Sequence, residues 1–89
     1  MAYKIGSTQN VTISGTSAVT SNAVGSPFVR LASTTNCYVA FGTGPTATTS
    51  DMLVATSNKG EVFKINPNWK VAGIQVSAGG VLSVTALEN

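Results

Sequence analysis

Eighty-nine residues and 9.0 kDa allow a single domain, and only 9% of its residues are charged, against about 25% in ordinary soluble domains. Histidine is absent and the net charge is +2. An imidazole-based catalytic site is therefore excluded, and the five bases, Lys4, Arg30, Lys59, Lys64 and Lys70, are too scattered to make the clustered face that nucleic acid requires. The chain instead holds 12 Thr, 10 Ser, 11 Val and 10 Ala. The Glu, Lys, Leu and Arg that build long helices and coiled coils are scarce.

The first ten residues contain one strongly apolar aliphatic, Ile5, so no signal peptide is expected. No run approaches the ~18 apolar residues of a membrane helix, and no membrane partner is expected. Residues 1–26 are polar, with Tyr3 as the lone aromatic and no charge from Ile5 to Ser26. Val11 and Ile13 alternate with Thr12 and Ser14, which predicts a short strand, and Ser17 to Val24 reads as another extended piece. This segment reads as an extended N-terminal arm, with Val11, Ile13, Val19 and Val24 as the residues that would add a strand to a neighbouring sheet edge.

From residue 27 to 89 short β-branched runs alternate with turn signals, and a sandwich domain is predicted. The runs are Phe28 to Ala32, Cys37 to Phe41, Met52 to Thr56, Glu61 to Ile65, Trp69 to Val76 and Val81 to Leu87. The turns between them are Thr34-Thr35-Asn36, the loop Gly42 to Ser50, Asn58-Lys59-Gly60, Asn66-Pro67-Asn68 and Ala78-Gly79-Gly80. The last of these reads as a hairpin. Six strands in so short a span leave no room for crossover helices, so antiparallel pairing follows. The predicted fold is all-β: a small antiparallel β-sandwich or jelly-roll-like barrel of about six strands behind the arm. Phe41, Phe63, Trp69 and Ile74 are the expected core anchors.

Reactive chemistry is sparse. Cys37 is the single cysteine; it cannot form an intrachain disulfide, and no histidine is present to activate it. Its phase with Val39 and Phe41 predicts a small buried hydrophobe. Asp51 and Glu61 are the carboxylates of the strand region. They read as a loop cap and a rim charge, the latter paired with Lys59 or Lys70, rather than as a glycosidase pair. Gly42-Thr43-Gly44-Pro45-Thr46 lacks the Lys and the following helix of a phosphate-binding loop. One Cys and isolated acids cannot supply three or four metal ligands. The aromatics Phe28, Tyr38, Phe41, Phe63 and Trp69 fall on different strands, which favours packing over a sugar-stacking platform. No catalytic residue, metal or cofactor is expected.

Three stretches carry a resemblance. They are Phe28-Val29-Arg30-Leu31-Ala32-Ser33-Thr34-Thr35-Asn36-Cys37-Tyr38-Val39-Ala40-Phe41-Gly42, the loop and strand from Pro45-Thr46-Ala47 to Asp51-Met52-Leu53, and Glu61-Val62-Phe63-Lys64-Ile65-Asn66-Pro67-Asn68-Trp69-Lys70-Val71-Ala72. Together, over about two-thirds of the chain, they resemble small β-sandwich virion proteins of tailed bacteriophages. The resemblance implies a structural virion protein, a capsid cement or decoration protein that binds and stabilises the head. It implies the major capsid protein as partner, a homo-oligomer with a trimer favoured, and a place on the outer capsid surface after synthesis in the bacterial cytoplasm. The alternative it leaves open is a receptor- or carbohydrate-binding module of a fibre or tail.

Overall fold

Apolar residues that recur at every second position must all face one way once the backbone is extended, and this chain repeats that pattern along its length. The structure, a computed structural model, describes residues 4–55 and 61–88. These form eight strands: β1 (Lys4–Ile13), β2 (Ala18–Val19), β3 (Phe28–Ser33), β4 (Cys37–Gly42), β5 (Met52–Val54), β6 (Glu61–Lys64), β7 (Lys70–Gln75) and β8 (Gly80–Glu88). In β3, Val29 and Leu31 are buried while Arg30 is exposed. In β4, Cys37 and Val39 are buried while Tyr38 and Ala40 are half-buried. In β8, Leu82, Val84 and Ala86 are buried.

The strands make two four-stranded antiparallel sheets, ordered β1-β8-β3-β6 and β2-β7-β4-β5. Almost every connection passes from one sheet to the other; β4 and β5 alone among the described strands are consecutive and neighbours. This is the wiring of a jelly roll, two four-stranded layers closed over a common core. The all-β, antiparallel sandwich expected from the sequence is what the structure contains.

Four expectations are corrected. Six strands were expected, but eight form, because the segment before Pro27 contributes two of its own. That segment is no arm outside the sandwich. β1 pairs with β8 from Lys4↔Glu88 to Ile13↔Gly80, with one irregularity between Ile5 and Thr8, and β2 pairs with β7. Val11, Ile13 and Val24 are only 2%, 1% and 5% exposed. Val11 and Ile13 are held in their own sheet and Val24 is buried in the connection after β2, so they are not on offer to a neighbour. The chain after β2 stays fastened: Val24 N donates to Trp69 O at 2.9 Å and Gly25 N to Pro67 O at 2.8 Å. Gly25 adopts φ 77°, a left-handed conformation that side-chain-bearing residues avoid.

Thirdly, Ala78-Gly79-Gly80 turns the chain but closes no hairpin, since β7 and β8 lie in different sheets. Fourthly, Ile74 is half-buried outside the core cluster. It pairs with Tyr38, whose side chain shares the outer parity of β4. The other three anchors are also half-buried, but they touch the core from its margin. Phe41, Phe63 and Trp69 pack against a core of Val11, Ile13, Val29, Leu31, Val39, Val71, Leu82, Val84 and their neighbours. The rings of Phe41 and Phe63 lie 6.0 Å apart at 53°, a tilted contact that aromatic quadrupoles favour.

Small side chains let the layers approach closely. A β-carbon on Gly73 of β7 would lie 2.6 Å from Cδ1 of Ile13, which reaches across from β1. Glycine at that point therefore makes room for the largest fully buried side chain in the core. The turn expected at Asn58-Lys59-Gly60 falls outside the described residues.

Candidate interaction surfaces

No pocket opens among the described residues, and no group of three or more metal-ligating side chains gathers among them. What these residues present to a partner is sheet face, sheet edge and loop.

Strand parity fixes the two outer faces, because directly paired residues share a side. On the β1-β8-β3-β6 sheet, Val11, Ile13, Leu82, Val84, Val29 and Leu31 point inward. The polar outer positions are then Thr8, Asn10 and Thr12 on β1, Ser83 and Thr85 on β8, Arg30 on β3 and Lys64 on β6, and Val81, Val62, Ala32 and Phe28 share their parity. Thr8 and Thr85 join their hydroxyls at 3.1 Å. Val62, opposite Arg30, and Val81, opposite Thr12, also lie on this face and are 44% and 41% exposed, so it mixes hydroxyls, an amide and two cations with apolar side chains.

The β2-β7-β4-β5 sheet is different. Inward go Ala18, Val71, Gly73, Cys37, Val39 and Val54. The outer positions form two cross-strand rows: Val19–Ala72–Ala40, and Ile74–Tyr38–Leu53. Val19 is 45% exposed and Leu53 51% exposed. The one charged residue on these four strands is Lys70, beside Gly42 at one end. Of the residues expected to form an arm, Val19 alone is exposed, and it belongs to this face.

The candidate chemical groups are placed plainly. Cys37 is fully buried and donates its thiol hydrogen to Ser33 Oγ at 3.7 Å. Burial pushes the thiol pKa up, and the Ser33 hydrogen bond opposes part of that rise. Asp51 is the loop cap its position suggested. Its carboxylate accepts from Thr48 N at 2.7 Å and Thr48 Oγ1 at 3.1 Å, and Asp51 N donates back to Thr48 O at 3.1 Å. The loop after β4 is tied to the loop after β1, with Ala47 N donating to Ser17 Oγ at 2.8 Å. The side chain of Glu61 and all of Lys59 lie outside the described residues.

The aromatics do not assemble into a stacking row. Phe41, Phe63 and Trp69 pack on the core, Tyr38 faces outward on one sheet, and Phe28 occupies an outer position on the other, opposite Leu87 and Lys64. Sequence reasoning did not single out Tyr38, Ala40, Leu53 and Ala72 as one surface. The available signal was the unbroken apolar run Cys37-Tyr38-Val39-Ala40-Phe41, since a strand wet on one face alternates with polar residues.

No family, curated protein or solved structure matches this chain.

Proposed function

We propose that this protein is a structural component of a tailed-phage particle, a cement or decoration protein that binds the major capsid protein on the outer surface of the head and stabilises the shell. The observation that carries the reading is the wiring β1-β8-β3-β6 over β2-β7-β4-β5. A jelly roll is an architecture of viral capsid and lectin domains, and here it comes with broad sheet faces and the sequence resemblance of residues 28–87. The warrant from the fold is one of analogy, because folds host many functions. Surface chemistry supports it further. A shell-binding protein works through backbone groups, hydroxyls and apolar patches, and few charges have to be desolvated when such a surface is covered.

The hydroxyl and amide face of Thr8, Asn10, Thr12, Ser83 and Thr85 favours one second reading, a glycan- or receptor-binding module of a fibre or tail. Copy number separates the two. Quantitative mass spectrometry of particles produced from the genome that encodes this chain should find many copies per head, and added protein should co-sediment with emptied shells. A few copies per particle, with binding to cells or glycans instead of shells, would establish the second reading.

A further inference from the structure

We infer that the loop between β4 and β5, residues 43–51, is a latched cover over the outer face of the β2-β7-β4-β5 sheet, and that it opens on its own while the sandwich stays folded. Its path is fixed at three points. It leaves β4 at Gly42, which lies opposite Lys70 of β7. Midway, Ala47 N donates to Ser17 Oγ at 2.8 Å. It returns to β5 at Met52, opposite Val39. Ser17 directly precedes β2, and β7 lies between β2 and β4. A path from β4 to Ser17 and back to β5 therefore crosses β7. The inner side of the sheet is filled by the core, so the crossing is on the outside.

Burial agrees. Ala72 stands at an outer position of β7, under that path, and is 0% exposed, while Ala47 in the loop is 2% exposed. The row that the loop crosses, Val19–Ala72–Ala40, has alanine on both central strands. Side chains that short leave room for a backbone to lie across a sheet, and the bulkier row Ile74–Tyr38–Leu53 runs alongside. The apolar character of this outer face thus has a cause within the chain. Part of it is an inner surface, beneath a thin third layer.

The hold on the loop is slight. Ala47 is its one buried residue and lies outside the core cluster. Among the described residues, the loop's one hydrogen bond to the rest of the molecule is the bond to Ser17. Its others are internal: Thr48 N and Oγ1 to the Asp51 carboxylate, Asp51 N to Thr48 O, and Ser50 N to Thr48 Oγ1. They tie the segment into a turn that moves as one piece. A single neutral hydrogen bond adds little net stability, and a segment with so few buried apolar groups opens at a free energy well below that of global unfolding. Opening moves no core residue. It uncovers the Val19–Ala72–Ala40 row and joins it to Ile74, Tyr38 and Leu53, so the position of the loop sets how much apolar surface this face shows.

The test is native-state hydrogen exchange of the full chain, read by nuclear magnetic resonance through rising urea below the unfolding transition. The Ala47 amide should exchange faster than the amides of Val39 and Leu82, and with almost no dependence on urea, because a local opening exposes little surface. Ser17→Ala should speed Ala47 exchange by about tenfold and leave Val39 and Leu82 as they were. It should also raise binding of the apolar dye anilinonaphthalene sulfonate while the circular dichroism spectrum stays native. Ser17→Thr keeps an acceptor and should restore slow exchange. Should Ser17→Ala fail to fold, the urea dependence of the unaltered chain decides alone. Ala47 exchange that matches Val39 and Leu82 in rate and in urea slope overturns the inference, because the loop would then open only with the whole sandwich. So does exchange as fast as in an unstructured peptide, since nothing would then be latched. A folded Ser17→Ala chain whose Ala47 amide exchanges as slowly as before overturns it too.

Discussion

Thr20 extends a ladder that its strand is too short to complete. It is 1% exposed, its N–H donates to Val71 O at 2.9 Å, and its Oγ1 accepts from Val71 N at 3.2 Å while donating to Asn22 O at 3.0 Å. Thr20→Val keeps the volume and strips both side-chain bonds. Leaving the Val71 N–H buried without its acceptor should lower unfolding free energy by about 1–3 kcal/mol in urea titration. Cys37 stands at the same scale. Cys37→Ala removes one buried atom, so a loss of roughly 1 kcal/mol is expected, and a thiol reagent should label the native protein far more slowly than the unfolded chain. Its pH dependence has a definite sign. A thiol pKa raised by burial means the folded state holds the proton more tightly. That contribution is complete below the pKa of the unfolded thiol and is lost as pH rises through it towards the raised folded value. Melting temperature measured from neutral to alkaline pH should therefore fall more steeply in the native sequence than in Cys37→Ala.

Among the elements, β1 and β2 decide whether the rest can fold. Each sits at one edge of its sheet, and together with the chain that follows they carry Val11, Ile13, Thr20 and Val24 into the interior. Deleting residues 1–26 should leave a chain without a cooperative melt and with poorly dispersed amide proton signals, since one end of the core is stripped. A truncated chain that melts as sharply as the whole would show that strands β3 to β8 suffice. The legibility of these elements follows from their physics. The strands of residues 27–89 were readable because Val29/Leu31, Cys37/Val39 and Leu82/Val84/Ala86 alternate with less buried neighbours, and period two is local information. Val11/Ile13 announced a strand in the same way. Its partner was not readable, because β8 lies some seventy residues away and nothing local encodes that pairing. The turn Ala78-Gly79-Gly80 was readable as chemistry, yet which sheet the next strand joins is decided by tertiary packing. Ile74 was misplaced for a related reason: β7 is apolar on both parities, so alternation could not tell inside from outside. The same two-sided pattern hid the outer apolar face.

At the level of the molecule, both layers share one interior, in which Ile13 from one sheet rests against Gly73 of the other. Neither layer can open without exposing the other's apolar face, so heat should unfold the described strands in one step. Calorimetric and van't Hoff enthalpies should agree for the dilute protein. A second transition separating the two sheets would contradict a shared core. The far-ultraviolet spectrum should be that of β structure, with no helical minimum to subtract.

The pairing of β1 with β8 also sets a clock. A ribosome delivers β1 first, and β8 only after every other described strand, yet β8 sits between β1 and β3 and supplies Leu82, Val84 and Ala86 to the interior. Until it emerges, the first sheet is split into a lone β1 and the β3-β6 pair, and neither half has a neighbour to cover its apolar side. The nascent chain must wait unfolded, then close its longest loops at the end. Refolding from denaturant should accordingly be slow for so small a domain, in the millisecond-to-second range of proteins dominated by distant strand pairs. Joining the neighbouring ends at Lys4 and Glu88 through a short linker, with new termini cut in the loop between β4 and β5, should shorten that wait by making the pair local.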